Sequence, residues 1–150
     1  MIDSTPTRWH LYIDGASRNN PGPSGAGVYL LKDEVPVVKQ GFYLGTKTNN
    51  QAEYCALLLG LYFAERHMKQ GDFLVISSDS QLLVRQVLGE YTVKHPELQT
   101  LMILVRSSLV RMRYAIRHVL RNDNTFADHL ANVGIDKKLP VPHELQHLTT

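Results

Sequence analysis

Cysteine is nearly absent: Cys55 is the one thiol among 150 residues, so no internal disulfide staples the chain. An apolar run long enough to cross a bilayer is lacking too. The longest, Ala56 to Ala64, is about half the required length and is interrupted by Gly60. The polar residues Met1 to Arg8 contain no stretch that reads as a signal peptide, and the expectation is a cytoplasmic protein with no membrane partner. Neither sign of charge dominates, the formal net charge being +2. With 43% hydrophobic and 20% charged residues, the disordered, collagenous and disulfide-scaffold classes are excluded. Repeats, low-complexity blocks and internal linkers are missing as well. A chain of this size buries roughly 70% of the surface it exposes when unfolded, enough for one self-sufficient core. The expectation is a single domain working as a monomer.

What is present is a series of changes in hydrophobic period. Trp9–Asp14, Gly27–Leu31 and Val35–Leu44 read as three strands of an antiparallel meander, joined by stretches rich in Gly, Pro, Asn and charge. From Asn49 to about Gln70 apolar residues recur at helical spacing, with Asn49 as the expected N-cap and Gly71 as the stop. A strand at Phe73–Ser77 and a helix at Ser80–Leu88 come next, then a helix at Pro96–Met112, a strand at Tyr114–Leu120 and a helix at Asn124–Gly134. Three strands followed by αβααβα make a mixed α/β layer fold. Residues 137–150 carry Pro140 and Pro142 and show no clear period, so they are expected to form a loosely held C-terminal tail behind a domain of residues 1–136.

Four carboxylates sit at element junctions. Asp14 is expected to end the first strand before Gly15, Asp79 follows the fourth strand, and Glu53 and Asp128 fall in the first turns of their helices. Singly, each has an ordinary structural duty, because turns, N-caps and positive helix ends all favour acids. Jointly they point further. Sheets of this class place ligands at C-terminal strand edges, where the four can converge although they span 115 positions. Glu53 has Ala52, Leu57 and Gly60 around it and Asp128 has Ala127, Leu130 and Ala131, so both are expected to point near the core. Converging carboxylates repel one another and take up protons unless divalent cations keep them ionised, and an oxygen-only ligand set suits Mg²⁺ or Mn²⁺. Two such ions about 4 Å apart form the clamp used for in-line phosphodiester hydrolysis. With the four acids set aside, 16 basic residues face the ten remaining acids, a balance of +6 that suits a polyanionic substrate.

Four local contexts, in this order and spacing, resemble the ribonuclease H family of type 1 over about residues 9–134. They are Tyr12-Ile13-Asp14-Gly15 leading to Asn20-Pro21-Gly22; Thr48-Asn49-Asn50-Gln51-Ala52-Glu53; Ser78-Asp79-Ser80 with Gln86 and Gly89 downstream; and Arg121-Asn122-Asp123-Asn124 leading to Ala127-Asp128-His129-Leu130-Ala131. The resemblance implies an α/β, ribonuclease H-like three-layer fold with a five-stranded mixed sheet of order 3-2-1-4-5 flanked by helices. It implies hydrolysis of the RNA strand of an RNA/DNA hybrid, leaving 5′-phosphate and 3′-hydroxyl ends. Two Mg²⁺ or Mn²⁺ ions would be held by Asp14, Glu53, Asp79 and Asp128, with Asp14 bridging the pair. It further implies that Asn20, Asn49 and Asn50 contact the hybrid in the minor groove, including its 2′-hydroxyls, and that Thr48 helps hold a DNA phosphate. Amides suit that task, since they donate and accept as a 2′-hydroxyl does, and that group separates RNA from DNA.

The sequence departs from the family pattern twice. Many cellular members carry a histidine in a flexible loop before the last helix, whereas Leu120 to Asn124 is tight and has none. Arg121 is the candidate substitute, contacting the scissile phosphate or assisting product release. His118, inside a predicted strand, and His129, turned about 100° from Asp128 around its helix, read as structural or surface residues. The second departure is Leu88 to Leu98, where some members insert a helix and a basic loop but where only Lys94 and His95 are basic. This resembles the compact form of some bacterial and archaeal members. Hybrid affinity is then expected to rest on Arg106, Arg111, Arg113, Arg117 and Arg121 as a basic face, with poorer discrimination against double-stranded RNA. Alternative readings are a zinc peptidase, through the HExxH match of His143-Glu144-Leu145-Gln146-His147, and a non-catalytic hybrid-binding module. Pro142 and the lack of apolar context speak against the first, and clustered acids against the second. DNA-cleaving integrases and resolvases share the fold, but the amide run Asn49-Asn50-Gln51 favours RNA.

Overall fold

The computed structural model describes residues 5–150. β1 (Arg8–Ser17), β2 (Gly22–Lys32) and β3 (Val35–Lys47) form the antiparallel meander, and β4 (Phe73–Ser78) and β5 (Arg113–His118) add in parallel on the other side of β1. The sheet order is β3-β2-β1-β4-β5, as expected. Alternation along the strands sends Trp9, Leu11 and Ile13 of β1, Leu74 and Ile76 of β4 and Ile116 of β5 to one face, and all are buried. α1 (Asn49–His67) lies over that face, with α3 (Pro96–Leu109) against it and α2 (Gln81–Val87) against β4 and β5. α4 (Thr125–Lys137) covers β1, β2 and β3 on the opposite face. It approaches so closely that a Cβ on Gly27 would collide with the α4 backbone at Ala127 and Ala131.

The element ends differ from expectation for identifiable reasons. Thr48, not Asn49, is the N-cap of α1: its hydroxyl accepts from Gln51 N–H at 3.1 Å while the Gln51 side chain accepts from Thr48 N–H at 2.9 Å. That helix stops at His67 because Asp72, whose carboxylate accepts from Lys69 N–H and from Trp9 Nε1–H at 2.9 Å each, closes a turn ahead of β4. The strands of the meander run longer than their apolar cores, since the backbone keeps pairing through Gly22–Gly25 and Gly45–Lys47. Among the described residues no helix is long and apolar enough to cross a membrane.

Residues 137–150 are not loose, contrary to expectation. Val141 and Leu148 are buried in the main core, Tyr43 N–H donates to the Leu139 carbonyl at 2.7 Å, and the Tyr62 hydroxyl donates to Glu144 at 2.8 Å. Leu145 also packs on that core, but three anchors beside Pro140 and Pro142 are too few for a period to be read. The 3₁₀ stretch His143–Thr149 also removes the zinc-peptidase reading. At three residues per turn His143 and His147 do not share a face, both are exposed, and Glu144 is engaged by Tyr62 and Arg66. Leu148→Ala is expected to lower unfolding free energy by about 2–3 kcal/mol, as a core truncation does, with catalytic turnover retained below the melting temperature. Denaturant unfolding with a parallel rate measurement checks this.

Candidate metal centre and nucleic-acid interface

Parallel pairing of β1 and β4 ends with Ile13 opposite Ser78, so the next residues, Asp14 and Asp79, stand together at the C-terminal edge of the sheet. Asp14 does not end its strand as expected. β1 continues to Ser17, paired with β2 alone, so Asp14 lies where the sheet splits between its two neighbours. Glu53 arrives from the second turn of α1 rather than the first. Gly15 makes room for it, since a side chain there would collide with the backbone of Ala52 and Glu53, and the Gly15 N–H donates to the Glu53 carboxylate. One carboxylate oxygen from each of Asp14, Glu53 and Asp79 lies within 4.8 Å of the others. Among the described residues no other acid, histidine or cysteine group of three is so close.

Asp128 stands apart from these three. It is exposed on α4, where Ala127, Leu130 and Ala131 take the buried stripe, so it does not point into the core as expected. It still reaches the rim of the cluster, near enough for its side chain and its charge to raise the Asp14 carboxyl. Asn124, to which the sequence motif assigned no role of its own, fixes this approach. Fully buried ahead of α4, it donates through Nδ2 to the Ile13 carbonyl at 2.9 Å and ties the helix start to the strand carrying Asp14.

The electrostatics are those of a site built for cations. Burial, then the charges of Glu53 and Asp79 and the hydrogen bond and charge of Asp128, push the Asp14 carboxyl up to about 10. Burial raises Glu53 to about 8, against the Gly15 hydrogen bond and the Arg121 charge, which both favour its ionised form. As a bare cluster these carboxyls hold protons near neutrality. Divalent cations with oxygen ligands are the group that would keep them ionised, so the residues fit the metals their sequence context implies.

Beside this cluster the structure brings Asn20, Thr48, Asn49 and Asn50 onto one ledge. Ser17 N–H donates to Asn49 Oδ1 at 3.0 Å, and Asn49 N–H donates to Asn20 Oδ1 at 2.8 Å. Backbone donors occupy both side-chain oxygens, and the Nδ2 groups of exposed Asn20 and Asn49 have no partner among the described residues and can donate outward. Exposed Asn50 shares a shallow groove with Thr48, His95 and Glu97. Arg121, exposed on a 3₁₀ turn at Arg121–Asp123, is near enough for its charge to act on Glu53. His118 is exposed, its ring 3.3 Å from the Asp79 carbonyl oxygen, and His129 is exposed on α4. The five arginines do not form the single face expected of them. Arg106 faces the Gln86 and Val87 carbonyls and Arg111 pairs with Glu65 at 2.7 Å, whereas Arg113 and Arg117 project from β5.

A profile of the family described as "Reverse transcriptase-like" matches residues 12–134. Over 131 residues the chain is 38% identical to a protein named Ribonuclease HI from Halobacterium salinarum, covering 86% of this chain and 65% of that protein. Against a protein named Ribonuclease H from Coxiella burnetii it is 33% identical over 145 residues, covering 87% of this chain and 91% of the relative. The crystal structure of the halobacterial RNase H1 superposes with a TM-score of 0.82 at 39% identity, covering 87% of this chain and 98% of that one. LC11-RNase H1, solved in complex with an RNA/DNA hybrid, superposes with a TM-score of 0.78 at 32% identity, covering 86% of this chain and 97% of that one.

Proposed function

Because this chain belongs to the ribonuclease H family of type 1, we propose that it is a metal-dependent endoribonuclease that hydrolyses the RNA strand of RNA/DNA hybrids, acting as a cytoplasmic monomer. The observation that carries the reading is the meeting of Asp14, Glu53 and Asp79 oxygens within 4.8 Å beside an amide-lined ledge. Hybrid bound to a similar structure supports the same substrate here. Two Mg²⁺ or Mn²⁺ ions at this edge would prepare the attacking water and stabilise the leaving 3′ oxygen, leaving 5′-phosphate and 3′-hydroxyl ends. Asp14, at the split in the sheet, would hold both ions, with Glu53, Asp79 and, from the exposed side, Asp128 as the other ligands. The amines of Asn20 and Asn49, with Asn50, meet minor-groove acceptors and 2′-hydroxyls, and Thr48 meets a DNA phosphate. Double-stranded RNA offers the same hydroxyls, and the short Leu88–Leu98 connection adds little basic grip on a DNA strand, so slow cleavage of double-stranded RNA belongs to the same reading.

Incubation of end-labelled hybrid, double-stranded RNA, single-stranded RNA and double-stranded DNA with Mg²⁺, Mn²⁺ or chelator tests the proposal. Internal cuts in the hybrid's RNA strand with metal and none with chelator are expected. A hybrid left intact with both metals, or cut in chelator, overturns it. Arg121→Ala is expected to lower turnover about tenfold, the worth of one charged phosphate contact. An unchanged kcat returns Arg121 to the solvated surface.

A further inference from the structure

On the face of the sheet opposite α1, α4 covers β1, β2 and β3 and leaves the parallel half open. Arg113, Ala115 and Arg117 of β5 are exposed there, and Phe73 and Val75 of β4 are half-buried. Register places Arg8, Phe73 and Arg113 in one row and Tyr12, Ser77 and Arg117 in another, one step below the Asp14–Asp79 edge. The side chains obey it. The Arg8 and Arg113 guanidiniums lie 5.5 and 5.9 Å from the Phe73 ring centre, and Arg117 Nε–H donates to Ser77 Oγ at 2.8 Å. Alongside, Tyr12 and Tyr29 pack at 6.2 Å, Tyr29 stacks on Phe126 at 4.9 Å, and the Lys39 ammonium sits 5.8 Å from the centre of the Phe126 ring. These rings wall a cavity of about 250 Å³ at the start of α4, and Phe126 itself is 54% exposed.

The charge on this face is mostly of one sign and unmatched. Arg8, Lys39, Arg113 and Arg117 make no ion pair among the described residues, whereas Arg18, Arg66, Arg85 and Arg111 each have a carboxylate partner. Acids border it too: Glu34, 3.6 Å from His10; Asp33, whose N–H donates to the Arg8 carbonyl at 3.2 Å; and Asp123 at the cavity. Half-exposed rings take base faces only when the bases are unpaired, and cations beside them track phosphates, so an open aromatic and basic sheet suits a single strand rather than a duplex. From Arg117 to Arg113 the track runs roughly 13 Å down the strand away from the acids. We propose that this face binds single-stranded RNA, the unpaired continuation of the RNA strand whose hybrid portion occupies the acidic edge. The identity of that strand rests on the proposed function; the binding surface does not.

Fluorescence anisotropy of a labelled oligouridine, with the full chain in chelator so that nothing is cut, tests the surface directly. Arg113→Glu/Arg117→Glu is expected to weaken binding at least tenfold and to reduce the slope of log affinity against log salt by about 1.4, at ~0.7 for each phosphate no longer neutralised. Phe126→Ala is expected to weaken it about tenfold by removing a stacking ring. Arg66→Glu/Arg111→Glu, an equal charge change on the α1 and α3 side, leaves oligouridine affinity at the wild-type value. On blunt hybrid with metal, kcat/KM of Arg113→Glu/Arg117→Glu is expected to fall by less than the oligouridine affinity does. Wild-type oligouridine affinity in that variant, or equal weakening by Arg66→Glu/Arg111→Glu, overturns the proposal. Should charge reversal unfold the protein by circular dichroism, Arg113→Gln/Arg117→Gln gives the same comparison, with about a fivefold loss expected. Failure to cut blunt hybrid at all would count against the nuclease reading and leave the binding comparison standing.

Discussion

Asp14→Asn is expected to lower hybrid cleavage at least about 10³-fold and, in chelator, to raise the melting temperature. If Asp14 holds both cations as proposed, it supplies several kcal/mol of charge stabilisation, and each ~1.4 kcal/mol is a decade in rate. The stability gain has the opposite origin: the wild-type side chain is a buried acid facing Glu53, Asp79 and Asp128. Its carboxyl is raised from 3.8 to about 10 and that of Glu53 from 4.5 to about 8, so between those limits the native state without cations holds more protons than the unfolded state. Stability then falls as pH rises. Melting curves in chelator are therefore expected to show wild type losing stability from pH 5 to pH 9 relative to Asp14→Asn, with the gap widening as pH rises. Adding Mg²⁺ stabilises wild type more at pH 9 than at pH 6. A parallel pH dependence in the two proteins would remove the carboxyl cluster from the explanation.

Gly15→Ala is expected to damage both stability and turnover. Its Cβ would enter the backbone of α1 at Ala52 and Glu53, which no rotamer change relieves. Overpacking of this kind costs about 3 kcal/mol, a fall in Tm of roughly 6–12 °C for a chain of this size. The same shift withdraws the Gly15 N–H from Glu53 and moves a ligand, and a displacement of about 1 Å at such a centre costs about 10² in rate. Calorimetry and steady-state kinetics on the one variant test both. Normal stability with normal turnover would mean that α1 does not need this approach.

Much of this was legible in the sequence. Period changes reveal the meander and the later alternation of helices and strands. The meeting of Asp14 and Asp79 was legible because parallel pairing delivers the residues just beyond it to one edge, even though β1 itself runs on to Ser17. Side-chain direction was less legible. Glu53 and Asp128 look alike in sequence, yet α1 is buried almost all round its middle while α4 buries one stripe and leaves Asp128 outside. The role of Gly15 depends on a helix that packs against it 38 positions later. The arginines look contiguous along the chain, but a helix, a turn and an alternating strand distribute them over different faces, and only Arg113 and Arg117 share one. Residues 137–150 escaped because only three apolar anchors, Val141, Leu145 and Leu148, hold them, the first ahead of the 3₁₀ segment and between Pro140 and Pro142.

Anomalous scattering from crystals grown with Mn²⁺ and an inactive hybrid analogue places the ions most directly. Two manganese peaks about 4 Å apart, both within about 2.5 Å of Asp14 carboxylate oxygens and each also met by Glu53, Asp79 or Asp128, are expected. Manganese bound elsewhere, with none reaching Asp14 while hybrid lies on the Asn20–Asn49 ledge, would contradict a metal-dependent nuclease centred on these acids.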